Sequence, residues 1–279
     1  MSKETASYPN LAKVRELFIR DKDNILVLRG SFVNYSTDLS LTIRMGRKVA
    51  GGGRKVAINL QHIIWDLWNI GALFERLENT THLASLKRLN VEVWRKYIGL
   101  DIEHFHIELR SVLDYTAACI SATADRKNCV PPNSINDIIN WLKRNPGNRT
   151  RLGEELAVLV ESVPSFPDIK QVRDAIVHRG GQTLVFGSPN DGILFQAYEN
   201  FTQIIAPSVF VSDGSIIDFR RYGSLLFSEL LFFLEQLAET LRKRIPADHF
   251  GIGDAHLSSL GWEVFYNWLN QWEAIPSQD

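Results

Sequence analysis

From about Lys55 onward the apolar positions recur with a helical period, and Pro and Gly mark the breaks by fixing or freeing φ where a helix must stop. Trp65, Trp68, Ala72 and Leu73 stand at i, i+3, i+7 and i+8 and predict a helix over about residues 57–78 with these side chains as its apolar stripe. A longer pattern, residues 91–124, carries Trp94, Ile98, Ile102, Phe105, Leu109, Val112 and Tyr115 on or near one face, a helix of about 50 Å if unbroken. Residues 128–132 end it. A short helix follows, capped by Asn133 or Ser134 and stopped at Asn145-Pro146-Gly147, and another is expected from Thr150 to about Ser162. After Pro164 and Pro167 the run DIKQVRDAIVH starts at a capping Asp168, with Gln171 three residues on, and Gly180-Gly181 closes it. TLVFG and GILFQAY flank Ser188-Pro189-Asn190-Asp191 and read as a small β-hairpin. Residues 218–244 return to helix, apolar nearly all round in the first half, which belongs at the centre of a bundle.

The ends are less regular. A helix over residues 11–20 and a strand over 25–28 precede the basic, Gly-rich RMGRKVAGGGRK. After Pro246, the loop HFGIGDAH leads to a last helix with Trp262, Phe265, Tyr266, Trp268, Leu269 and Trp272, an aromatic stripe that packs on its own domain. The expected fold is mainly α, with a small β-hairpin and peripheral N- and C-terminal additions. Its parts are an N-terminal extension with the basic Gly-rich loop (1–56), a helical bundle (57–246) and a C-terminal aromatic helix packed on that bundle (247–279).

Composition excludes several classes. At 279 residues, 45% hydrophobic and 23% charged, the chain can build a large core without disulfide or metal staples and is no disordered or fibrous protein. A formal charge of −1 supplies no global attraction to nucleic acid or anionic membrane, so any such binding must be local. No stretch reaches the roughly 18 apolar residues of a membrane helix, and the start of the chain lacks the apolar core of a secretory signal, so the reading is a cytoplasmic protein with no membrane partner. The two cysteines, Cys119 and Cys129, are then free thiols.

One motif points to chemistry. VRDAIVHRG places Arg173, then Asp174, and His178 after four intervening residues. On a helical wheel Ile169, Val172, Ala175, Ile176 and Val177 cover one side, whereas Asp174 and His178 share the opposite side and Arg173 lies at the edge of the apolar stripe. Arg76 and His82 have similar spacing, but Asn79-Thr80-Thr81 is expected to break the helix between them. Arg242 and Arg244 are separated from His249 by Pro246.

The Arg173, Asp174 and His178 arrangement resembles the HEPN superfamily of helical ribonucleases and their relatives, whose signature is an Arg, then Asn, Asp or His, and a His after four to six residues. The close match spans nine residues; the order of long helix, motif helix and apolar helix around it fits the family's bundle, and the hairpin after the motif departs from its simplest form. The resemblance implies a homodimer with the motif lining a cleft between two copies, and metal-independent RNA cleavage without a cofactor. The substrate's 2′-OH would attack the adjacent phosphate, His178 acting as general base or acid and Arg173 stabilising the phosphoryl oxygens. Asp174 would orient the imidazole and Arg179 would add a phosphate contact. The family uses such enzymes in defence, stress and toxin–antitoxin systems, with a regulatory protein partner in some. The alternatives are a non-catalytic HEPN-like module that binds RNA or a protein, or an ordinary surface pair of Asp174 and His178 beside a salt-bridged Arg173.

Two other clusters gather charged side chains. Asp101, Glu103, His104, His106 and Glu108 crowd one helix, but a di-metal bundle draws its Glu-x-x-His pairs from separate helices, so a solvated face without metal is expected. Arg44, Arg47, Lys48, Arg54 and Lys55 surround Gly51-Gly52-Gly53 with no acid among them and lack the Lys-Ser/Thr ending of a Walker loop. Arg47, Lys48, Arg54 and Lys55 are candidate contacts to an RNA backbone.

Overall fold

The computed structural model describes residues 11–49, 51–124, 129–162, 169–174, 182–199, 202–204, 216–248 and 255–271. These residues form a mainly helical protein with two small antiparallel sheets.

The frame is an antiparallel pair of long helices, α3 (Gly53–Ser85) and α4 (Val91–Thr123). At 33 residues each they run about 50 Å. Asn90 caps α4 by accepting from the Glu92 amide, and near the joint the Trp94 indole donates to the Thr81 hydroxyl at 3.1 Å. The periodicity of α4 is realised, since Trp94, Ile98, Ile102, Phe105, Leu109 and Val112 are all buried and Tyr115 is half-buried against them. For α3 the expected stripe holds at Leu73, which is buried, and fails at the two tryptophans. Leu60, Ile63, Leu67, Ile70, Phe74 and Leu77 form its buried stripe, while Trp65 and Trp68 face outward with 64% and 45% of their surface exposed. α3 carries apolar residues on two faces, and periodicity alone cannot say which of them a neighbour covers.

Helix α9 (Phe219–Arg244) lies in the centre, as its all-round apolar first half requires; Asp218 caps it through the Arg220 amide at 2.9 Å. Ahead of it come α5 (Ile135–Arg144), capped by the Ser134 side chain, and then α6 (Gly147–Leu152) and α7 (Glu154–Glu161). The single helix expected from residue 150 to 162 is two, because Gly153 sits at φ 95°, outside the helical region. Helical residues 169–174, labelled α8, bury Ile169 and Val172.

The N-terminal part differs most from expectation. α1 (Leu11–Arg15) is short, and the chain then enters β1 (Phe18–Arg20) and β2 (Leu26–Leu28) before α2 (Ser31–Arg44), a helix not expected from its Ser- and Thr-rich sequence. Gly30 offers α2 no side-chain cap; the Glu235 carboxylate on α9 accepts from the Ser31 and Phe32 amides at 2.6 and 2.9 Å instead. A residue 204 positions away thus does the work of a local cap.

β1 and β2 pair antiparallel, and β2 also pairs with β7 (Leu257–Ser258) near the other end of the chain. The second sheet is the expected hairpin, β3 (Gln182–Phe186) with β4 (Leu194–Glu199), extended by β5 (Thr202–Ile204) and β6 (Ile217–Asp218) along the other edge of β4. It packs on α4, where Glu103 accepts from the Thr183 amide at 3.0 Å. α10 (Gly261–Gln271) crosses α3 so closely that a Cβ on Gly261 would sit 1.6 Å from the Gly71 carbonyl oxygen. That approach buries Trp262, Phe265 and Trp268, with Phe74 at the hub against Phe105, Phe227, Phe265 and Trp268. Trp272 lies outside the described residues.

Candidate functional site

The motif helix is laid down by its own apolar face. With Ile169 and Val172 buried, the next two positions must come to the rim, and Arg173 and Asp174 are half-buried there. Arg173 Nη1 donates to Asp174 Oδ1 at 3.2 Å. His178 and Arg179 lie outside the described residues.

Sequence reasoning missed the surroundings of this pair. Asp114 of α4 feels Arg110, Arg173, Asp137 and Asp174, so α4, α5 and α8 converge on one charged junction. Arg110 Nη2 lies 3.2 Å from Asp114 Oδ1, at an angle that makes an ion pair but no hydrogen bond. Burial pushes the Asp114 carboxyl above the usual carboxylate range; Arg110 and then Arg173 oppose the shift, and Asp137 and Asp174 add to it. Arg110 and Asp114 stand at i and i+4 on the long helix, which is the only trace the junction leaves in the sequence.

The competing pair Arg76 and His82 does share one unbroken helix, contrary to the break expected at Asn79-Thr80-Thr81. Six residues set them about 240° apart. Arg76 instead turns to α4, where its Nε and Nη2 reach Asp101 Oδ1 at 2.7 and 2.6 Å.

The residues 101–108 do not form a solvated face. Asp101, His106 and Glu108 are buried, because this helix is covered on two sides, by α3 and by β3 and α9. Glu108 accepts from Asn69 at 3.3 Å and pairs with His104 at 2.8 Å, and Asp66 lies against Glu108 and Ser111 with its carboxyl pushed up to about 6, chiefly by burial. His106 bonds to the Ile102 carbonyl and to Tyr222 in the core. Among the described residues, no group of three His, Cys, Asp or Glu side chains is placed to hold a metal ion.

The basic cluster divides. Arg47 Nη1 pairs with Asp248 Oδ2 at 2.5 Å, an acid brought in from 201 residues away. Lys48 is exposed. Arg54 and Lys55 belong to the first turn of α3 rather than to a loop, and both line a cleft of about 990 Å³ against the C-terminal end of α4. Gly52 makes the close approach at φ 85°, where an added Cβ would lie 1.9 Å from the Ala122 carbonyl oxygen.

No described helix is long and apolar enough to cross a membrane. No family model, curated protein or solved structure matches the chain.

Proposed function

We propose that this protein is a metal-independent endoribonuclease of HEPN type that acts as a homodimer in the cytoplasm. The observation that carries the reading is the position of Arg173 and Asp174: on the rim of a helix anchored by Ile169 and Val172, at a junction with Arg110 and Asp114. Arg173 stabilises the charge that builds on the phosphoryl oxygens while the 2′-OH attacks, and His178 moves the proton. DNA lacks that nucleophile. Asp174 is a positioning residue, holding the guanidinium through its carboxylate, and the second copy contributes the same residues across the cleft. Outward Trp65 and Trp68 of α3 with Leu100 and Ile107 of α4 supply exposed apolar surface that favours such an association.

A second reading, a helical module that binds RNA or a protein without cutting, is favoured by one specific feature: Arg173 and Arg110 already face carboxylates, whereas the large basic-edged cleft lies elsewhere. Incubation of the wild type and of Arg173→Ala/His178→Ala with mixed-sequence RNA in chelator separates the two. Fragments ending in 2′,3′-cyclic phosphate from the wild type alone support the nuclease. Equal behaviour of both proteins, with RNA retained and uncut, supports the binding module.

A further inference from the structure

The cleft at the start of α3 is not accounted for by cleavage chemistry. Its volume of about 990 Å³ is at the upper end of what small-ligand sites enclose. Arg54 and Lys55 stand at its edge, exposed and with no ion pair among the described residues, and no described lining residue is acidic. The rest of the lining is apolar and short-chained, with Val49 beside Gly53 and with Ala118, Val130 and Pro132 from the end of α4 and the residues after it; the Ser121 and Thr123 hydroxyls there donate to the Val130 and Ile120 carbonyls. An anion is attracted to the rim, and an attached apolar ring with polar edges is accommodated by this lining. The first turn of α3 adds to the attraction, for it contains no acid and its cap, Gly52, offers no side-chain acceptor.

We propose that this cleft binds a nucleoside phosphate, with the phosphate on Arg54 and Lys55 and the base and sugar against Ala118 and Val130. The nucleotide is either free or one residue of a single-stranded RNA. Ala118 and Ser121 follow Asp114 on one ridge of α4, which sets the cleft about 10 Å along the helix from the Arg173 junction, within reach of the same strand. The inference therefore deepens the ribonuclease reading where the nucleotide belongs to RNA, but it does not require cleavage.

The test uses the full-length protein and a fluorescent 2′-O-methyl oligoribonucleotide, which has no free 2′-OH and is not cut, alongside the four nucleoside 5′-monophosphates and inorganic phosphate. Arg54→Glu/Lys55→Glu changes exposed side chains only, and Ala118→Leu fills the wall without altering charge; unfolding midpoints confirm that each variant is folded. Binding that weakens at least about tenfold in both variants supports the site. For the oligonucleotide, the salt slope should fall by about 0.7 for each phosphate contact removed. Monophosphates that bind as tightly as the oligonucleotide identify a free nucleotide as the ligand, and binding of the oligonucleotide alone identifies RNA. No binding by the wild type, wild-type affinity in the charge-reversed variant, or inorganic phosphate binding as well as any nucleotide would overturn the proposal. The cleavage assay fails or succeeds independently, since it reads Arg173 and His178.

Discussion

His106 provides a direct check on the packing of the core. The ring is fully buried, with Nδ1 2.7 Å from the Ile102 carbonyl oxygen and Nε2 2.9 Å from the Tyr222 hydroxyl oxygen. A carbonyl can only accept, so Nδ1 carries the proton and Nε2 accepts from Tyr222. Protonating Nε2 would place an uncompensated charge in an apolar core, and burial accordingly holds the imidazole down at about 4, against an ordinary value of 6.5. The unfolded chain binds this proton below 6.5 while the folded chain refuses it until about 4. The stabilising term is therefore complete above 6.5 and is lost as the pH falls through that window. At 1.36 kcal/mol for each pH unit, the loss totals about 3 kcal/mol.

The perturbation is His106→Leu/Tyr222→Phe, which removes both hydrogen-bonding partners and so leaves neither orphaned; its stability at pH 7 should lie within about 1 kcal/mol of the wild type. His106→Leu alone leaves the Tyr222 hydroxyl unpaired by the ring and should cost about 1–3 kcal/mol. Urea unfolding from pH 7.5 to 4 reads the effect as a difference between proteins, so that titrations common to both cancel. The wild type should lose about 3 kcal/mol more than the double variant across this range. Parallel pH profiles would refute the argument, since they would mean that His106 is accessible to protons in the folded protein.

Other consequences are open to measurement. Asp66 is the opposite case: its carboxyl is raised to about 6 by burial and by Glu108, so it weakens the fold as the pH rises from about 4 to 6. Asp66→Asn should stabilise the protein at pH 7 by about 1 kcal/mol after allowance for solvent screening, with no gain below pH 4, as read by thermal unfolding. Gly261→Ala forces α10 away from the Gly71 carbonyl and should cost at least about 2–3 kcal/mol, whereas a nearly unchanged melting temperature would refute the close crossing. Arg76→Ala leaves the buried Asp101 carboxylate without its cation and should destabilise the fold by about 1–3 kcal/mol at pH 7; Arg76→Ala/Asp101→Asn should recover much of that in the same denaturation assay.

Much of the helical layout was legible because its signals are local. The cap at Ser134, the α4 stripe, the hairpin around residues 188–191 and the central apolar helix each depend on residues within a few positions of one another. The rim positions of Arg173 and Asp174 were legible for the same reason, given a helix with Ile169 and Val172 on its core side. The helix at residues 31–44 was not, although Phe32, Tyr35, Leu39 and Thr42 keep a helical spacing on its buried side; its poor helix formers hid the signal, and its amides are satisfied by the distant Glu235. The candidate site was half legible, since nothing near VRDAIVHRG announces Arg110 and Asp114.

Amphipathic period, caps and breakers act over one or two turns, so the order and type of most helices follow from neighbouring residues alone. Which face of an amphipathic helix becomes interior is another kind of question, because it depends on what arrives from elsewhere in the chain. Leu67 is buried and Trp65 exposed because α4, α9 and α10 cover one side of α3 and leave the other bare. Charges obey the same division. Arg47 meets Asp248, and Arg54 and Lys55 are left on the edge of a cleft; these partnerships join residues tens to hundreds of positions apart, and burial settles which charges are paired, desolvated or left at the surface.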